Sequence, residues 1–190
     1  MAVVNIRTTK RRYATILADP PWPYRQVARR THDATKALEY PTMSMDEIRN
    51  LPVRRIVSEA CMLFLWITNP FLDEAFTVIE AWGFEYRTAA TWVKPRPTTG
   101  TWFLGQTEHL LLAVRGKPPL PARRRPGLIR TLERQAHSVK PRESYELVES
   151  MSQSPRIELF ARRARPGWDS WGLEAKEISK ELEHDLITHL

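Results

Sequence analysis

Residues 61–67, Cys-Met-Leu-Phe-Leu-Trp-Ile, form an unbroken apolar run. Seven residues are far too few to cross a bilayer and match the length of a strand. An apolar run without polar alternation fits a strand buried on both faces, as in the interior of a parallel sheet. Such a chain must supply covering layers on both sides of its sheet. Residues 13–18 (YATILA) and 156–161 (RIELFA) repeat the pattern, and 84–93, 109–115 and 128–134 read as further strands. Helices are punctuated between them. Ser44 and Glu47 have capping-box spacing ahead of a helix over 45–51. Asn69 is positioned as a cap, Pro70 fits the first turn and Gly83 ends that helix. Phe71, Ala75, Val78, Ile79 and Trp82 share one face of it. Pro141 opens a helix over 141–152, and Ile178, Leu182 and Leu186 stripe a helix over 174–188. Residues 23–42, 94–106 and 116–126 read as loops. Strands alternating with helices predict an α/β fold with a mostly parallel sheet.

The chain has 190 residues, near the size of one domain. Its 42% hydrophobic and 27% charged residues exclude a disordered or collagen-like chain. The single cysteine, Cys61, excludes a disulfide framework and a four-cysteine zinc site, and reads as core. His32, His109 and His137 are too scattered for a metal site, so none is assigned. The N-terminus has no secretory pattern, so a soluble cytoplasmic protein without a membrane segment is expected. The net charge is +7, but it is unevenly spread. Residues 173–190 carry −3, leaving +10 on the body, and seven lysines stand against 22 arginines. Arginine matches phosphates and base edges and stacks on rings. A basic body points to a polyanionic partner, most simply nucleic acid.

Asp19-Pro20-Pro21-Trp22 directly follows the first strand. In open α/β sheets ligands bind beyond the carboxyl ends of strands. Two prolines hold this loop stiffly. The Asp19 carboxylate and the Pro20 carbonyl supply two acceptors, and Trp22 a flat surface. That set suits a planar base with an exocyclic amine, whose lone pair is freed from the ring when both N–H bonds are engaged.

The sequence resembles the adenine-N6 methyltransferase family named after the 70-kDa subunit of the messenger-RNA adenosine methyltransferase. Asp19-Pro20-Pro21-Trp22 is its signature. Tyr40-Pro41-Thr42-Met43, Phe64-Leu65-Trp66-Ile67-Thr68, Trp92-Val93-Lys94 and Gly105-Gln106-Thr107-Glu108-His109 follow in order. His137-Ser138-Val139-Lys140-Pro141 with Tyr145, residues 156–162, and Gly167-Trp168 with Trp171-Gly172 complete the set. The resemblance covers residues 13–174. It implies a Rossmann-like S-adenosylmethionine-dependent methyltransferase fold with the catalytic motif preceding the cofactor motif. It implies that Asp19, Pro20, Pro21 and Trp22 are catalytic. Asp19, Lys94, Glu158, Phe160, Arg162, Gly172, Leu173 and Glu174 are implied to bind the cofactor, Glu158 at the ribose hydroxyls. Tyr24, Tyr40 and Lys140 fall on the substrate side, and Arg123, Arg124 and Arg125 are read as tracking phosphates. Family members often carry Asn where this chain has Leu173, and Phe160-Ala161-Arg162 stands in place of a glycine-rich cofactor loop.

The implied domain covers residues 1–174, with 175–190 an acidic helix packed on it or extending from it. The implied substrate is adenine in nucleic acid, DNA favoured over RNA because the chain is small and has no added RNA-binding module. A homodimer and a partner subunit are both compatible with it. The alternative is a catalytically silent nucleic-acid-binding subunit of a methyltransferase complex. Cytosine methylation ranks third, because related enzymes of that type usually carry Ser at the position of Asp19.

Overall fold

The computed structural model describes residues 2–23, 42–98, 102–131 and 140–172. They build one seven-stranded sheet: β1 (Tyr13–Ala18), β2 (Val57–Thr68), β3 (Glu85–Val93), β4 (Thr107–Arg115), β5 (Leu128–Arg130), β6 (Arg156–Leu159) and β7 (Trp168–Trp171). The order is β5-β3-β4-β2-β1-β6-β7. Four neighbouring pairs are parallel, and β4 runs antiparallel to both β2 and β3. The expected α/β class and mostly parallel sheet are therefore borne out.

The 61–67 run behaves as its composition demands. Successive strand residues face opposite sides. Cys61, Leu63, Leu65 and Ile67 enter one core with Ile48, Ile79 and Trp82. Met62, Phe64 and Trp66 enter a second with Trp92, Val148 and Trp168. Helices α1 (Met45–Arg49) and α2 (Leu72–Ala81) cover the first face, and α3 (Arg142–Met151) covers the second. Burying both faces of β1 and β2 puts them at the centre of the sheet and fixes their register against slippage.

Several boundaries differ from the sequence reading. The Ser44–Glu47 capping box forms as expected, and Gly83 ends α2 at φ +82°. Asn69 does not cap α2. It starts a 3-10 turn over Asn69–Phe71, Phe71 takes the N-cap position, and the Asn69 amide is used elsewhere. β2 begins four residues earlier than the apolar run, β6 stops at Leu159, and Phe160 turns at φ +62°. β7 was not expected: Trp-Asp-Ser-Trp is short and carries no apolar alternation. Its register comes from the parallel ladder with β6. The helix over 174–188, the 175–190 unit and the end of the 128–134 strand lie outside the described residues.

Candidate active site

β1 lies between β2 and β6, which leave it in opposite directions, so a crevice opens at its carboxyl end. Ala18 is level with Leu65 on one side and Leu159 on the other. Asp19 therefore emerges between Trp66 and Phe160. The prolines stop the ladder there because they lack a donor.

The tetrapeptide is braced from below. Trp22 is 2% exposed, stacks near Phe71 (centroids 6.3 Å apart, 16° between planes) and donates its indole N–H to the Trp66 carbonyl at 3.1 Å. The open stacking surface expected of Trp22 is thus a buried strut, because its ring fills the core beside α2. The Pro20 carbonyl accepts the Trp22 backbone N–H at 2.9 Å, and the Pro21 carbonyl accepts that of Met43. A carbonyl has two lone pairs, so this bond leaves one on Pro20 unused.

Above the strut runs an alternating chain of charges. Asp19 Oδ2 lies 2.9 Å from Lys140 Nζ, which lies 3.1 Å from Glu108 Oε2; Glu108 Oε1 lies 2.6 Å from Lys94 Nζ. Four elements supply it: the ends of β1 and β3, the start of β4 and the residue before Pro141. Burial pushes the Asp19 carboxyl above its ordinary value, against the opposing pull of Lys140. Burial acts the same way on Glu108, but Lys140 and Lys94 outweigh it and hold Glu108 below the usual carboxylate range. Burial disfavours the Lys140 ammonium, yet two carboxylates keep it protonated well above its ordinary value. Asp19 Oδ1 has no partner among the described residues and is the free acceptor of the site.

A second group meets Asp19 from α3 and β6. Tyr145 donates its hydroxyl to Glu158 Oε1 at 2.8 Å, and the Arg165 guanidinium sits 3.5 Å from the Tyr145 ring centroid. Burial pushes Glu158 up to about 7, against the Tyr145 hydrogen bond and the Arg165 charge. Asp19, Trp66, Lys140, Tyr145, Glu158, Phe160 and Arg162 line a common cavity of about 310 Å³. That is the scale of a small-molecule site.

These residues fit a nucleoside cofactor with an amino-acid tail. Glu158 offers acceptors for ribose hydroxyls, and Arg162 a cation for a carboxylate. Trp66 Nε1 is a buried donor without a partner among the described residues, at the cavity wall. Gly172 does not line the cavity; it passes against Ala161, where an added Cβ would lie 2.6 Å from the carbonyl oxygen. Phe160 packs edge-on against Trp171 (5.3 Å).

The sequence-derived residues are thus partly gathered. Asp19, Lys140, Glu158, Phe160 and Arg162 share one cavity. Lys94 is held on Glu108 and does not line that cavity. Arg123, Arg124 and Arg125 are exposed, and Arg125 Nε reaches Ser150 Oγ (3.4 Å) near the end of α3 remote from Lys140. Tyr24, Tyr40, Leu173 and Glu174 lie outside the described residues. Glu108, Tyr145, Trp66 and Arg165 were given no role by sequence, although the first three fall in motifs quoted above. Among the described residues no group of side chains could hold a metal ion, and no helix is long and apolar enough to cross a membrane.

Comparison with known proteins decides the family. The MT-A70 family model matches residues 13–174. The chain belongs to the MT-A70 family. Among its relatives, the type II methyltransferase M.MunI of a Mycoplasma species is 33% identical over 194 residues, covering 91% of this chain and 82% of that protein. The N(6)-adenosine-methyltransferase MT-A70-like protein of Drosophila melanogaster is 31% identical, covering 93% of this chain and 29% of its own. The human N(6)-adenosine-methyltransferase catalytic subunit METTL3 is 30% identical, over 93% of this chain and 30% of its own. The chain thus spans most of the first relative and under a third of the other two. The resemblance read from the motifs is borne out over the same residues.

Proposed function

We propose that this MT-A70 chain transfers a methyl group from S-adenosylmethionine to the exocyclic N6 amine of adenine in nucleic acid, with DNA the favoured substrate. The observation that carries the reading is the Asp19 carboxylate. One oxygen is fixed by Lys140 at 2.9 Å, the other is open, and both stand at the mouth of the cavity.

The bound cofactor supplies an electrophilic methyl on sulfur. An aromatic amine is a poor nucleophile because its lone pair is delocalised. Asp19 Oδ1 and the free lone pair of the Pro20 carbonyl accept its two N–H bonds and draw the nitrogen toward tetrahedral geometry. A nitrogen held about 3–3.5 Å from the methyl carbon is in a near-attack position. With the cofactor bound, its methyl would pass to that nitrogen as the sulfur keeps the electron pair of the broken bond, and Asp19 would take the amine proton along their hydrogen bond. The raised affinity of that carboxyl for a proton suits it to receive one. Lys140 fixes the carboxylate and Glu108 fixes Lys140, so the acceptor is preorganised. Glu158 would hold the ribose and Arg162 the carboxylate tail. A paired target base must first be unstacked, which costs a few kcal/mol.

DNA is favoured because the chain matches the type II methyltransferase along most of that protein's length, but the N(6)-adenosine-methyltransferases along less than a third of theirs. An intact Asp19 beside a formed cavity speaks against the silent-subunit reading. Asp19→Ala is expected to lower transfer of labelled methyl to adenine by on the order of 10²–10⁴-fold, with an unchanged circular dichroism spectrum. Retained transfer overturns the mechanism. Absence of cofactor binding and turnover in the unmodified chain, by calorimetry and labelled transfer to DNA and RNA oligonucleotides, favours the silent reading instead.

A further inference from the structure

The connection between β3 and β4 carries the most exposed apolar side chains of the described residues. Trp102 is 92% exposed, Phe103 90% and Leu104 64%. Isolated exposed hydrophobics need no explanation, but three in sequence mark a surface that meets something.

Their position is specific. The connection leaves β3 at Lys94 and re-enters β4 at Thr107 as an arm. Lys94 N–H donates to the Gln106 carbonyl (2.8 Å), and the Gln106 amide returns a bond to the Lys94 carbonyl (3.1 Å). Further out, the Thr98 N–H and hydroxyl both donate to the Gly105 carbonyl at 2.8 Å. The arm is therefore anchored at its base, with the aromatic pair beyond the last bond. The base is tied to the catalytic carboxylate through Lys94, Glu108, Lys140 and Asp19. Trp102 stands four residues from Gln106, an extended reach of at most ~14 Å. One strand of a duplex advances ~3.4 Å along the axis per nucleotide, so the arm beyond Gln106 spans about four nucleotides.

The charge around the tip selects the occupant. Residues 94–107 contain Lys94 and Arg96 and no acidic side chain. Arg96 is exposed, as is Arg130 on the neighbouring β5, and neither has a partner among the described residues. A second copy carries a net charge of +7, which opposes its approach to these cations. A polynucleotide brings phosphates to the arginines and ring faces to the indole and phenyl.

We propose that Trp102 and Phe103 form a stacking platform for nucleobases flanking the target adenine. This rests on the nucleic-acid reading above. Stacking is sequence-tolerant, since every base has a π-face. It also releases no counterions, unlike a phosphate contact.

The test uses the full chain and a fluorescein-labelled mixed-sequence 20-nucleotide strand, alone and as a duplex, titrated by anisotropy over a salt series. Trp102→Ala and Phe103→Ala are each expected to weaken binding ~5- to 100-fold with the slope of log affinity against log salt unchanged. Arg96→Ala is expected to reduce the magnitude of that slope by about one unit. Both aromatic side chains are exposed, so the fold is preserved. Unchanged affinity in both aromatic variants, with normal binding by the parent chain, overturns the platform alone. A change of oligomeric state in sedimentation also overturns it and assigns the tip to a second copy. Failure of the parent chain to bind either probe overturns the nucleic-acid reading together with the platform.

Discussion

Glu158 stands between two demands. Burial favours its protonated form, while the Tyr145 hydroxyl and Arg165 favour the carboxylate; burial prevails and its pKa reaches about 7. An acid whose folded pKa lies above its unfolded value binds its proton more tightly when folded. Its contribution to stability is full below the ordinary value of 4.5 and is lost as pH rises through 7. Glu158→Gln removes that titration and keeps an oxygen for Tyr145. The variant is expected to match the parent chain near about pH 4 and to exceed it by on the order of 1–3 kcal/mol near about pH 8 in urea unfolding. A pH-independent difference contradicts the assignment. The carboxylate is nonetheless the form that accepts ribose hydroxyls. On the proposed function, S-adenosylhomocysteine binding therefore weakens below about pH 7, and Glu158→Gln flattens that profile.

At the scale of elements, local signals predicted local outcomes and missed distant ones. The 61–67 strand, the Ser44–Glu47 box and the Gly83 stop depend on neighbours within a turn or a pleat, and all formed. Asn69 has a capping residue's chemistry, but β4 offers it better partners from 38 and 40 residues away. Its amide donates to the Thr107 carbonyl and hydroxyl, and its oxygen accepts from His109 Nε2 at 2.8 Å. That orientation makes Nε2 the donor of His109, with Nδ1 3.1 Å from the Thr91 hydroxyl. The place of Asp19 at a strand end was legible because the apolar 13–18 run stops at a proline pair, which cannot continue a ladder. The connection of Asp19 to Glu108 was not, since it depends on β4 inserting antiparallel between β2 and β3. The turn after β7 is similar. Gly172 is the point where the β7 end passes against β6, with Ala161 N and O at 2.8 and 2.6 Å from an added Cβ. Both atoms are backbone and cannot step aside. Gly172→Ala is therefore expected to cost about 1–3 kcal/mol in chemical denaturation and to weaken cofactor binding. Parent-like values for both place the strain elsewhere.

For the whole molecule, the excess of arginine over lysine acquires a structural division. Lys94 and Lys140 are neutralised in place by Glu108 and Asp19, so they shape the site without adding net field outside it. The field that a polyanion meets comes from arginines, and two sets of them bear on the site. One lines the cavity with Asp19: Arg162, Arg163 and Arg165. The other, Arg123–Arg125, lies near the far end of α3. Ten helical residues separate that end from Lys140, a length of ~15 Å. At ~3.4 Å per nucleotide, a strand with its adenine at Asp19 that follows α3 reaches the triad about four to five nucleotides on. Replacing Arg123, Arg124 and Arg125 together by Ala is therefore expected to weaken binding of a long duplex equally across sequences. The magnitude of its log–log salt slope falls by about 2–3, near 0.9 for each lost phosphate contact. An oligonucleotide that ends about three nucleotides beyond the adenine on either side cannot reach the triad, so it binds parent and variant alike. If the long duplex keeps its slope, the triad is solvated surface and the strand leaves the rim by another path. If the short oligonucleotide is weakened equally, the triad acts on the site itself, and the separation imposed by α3 does not govern how the substrate lies.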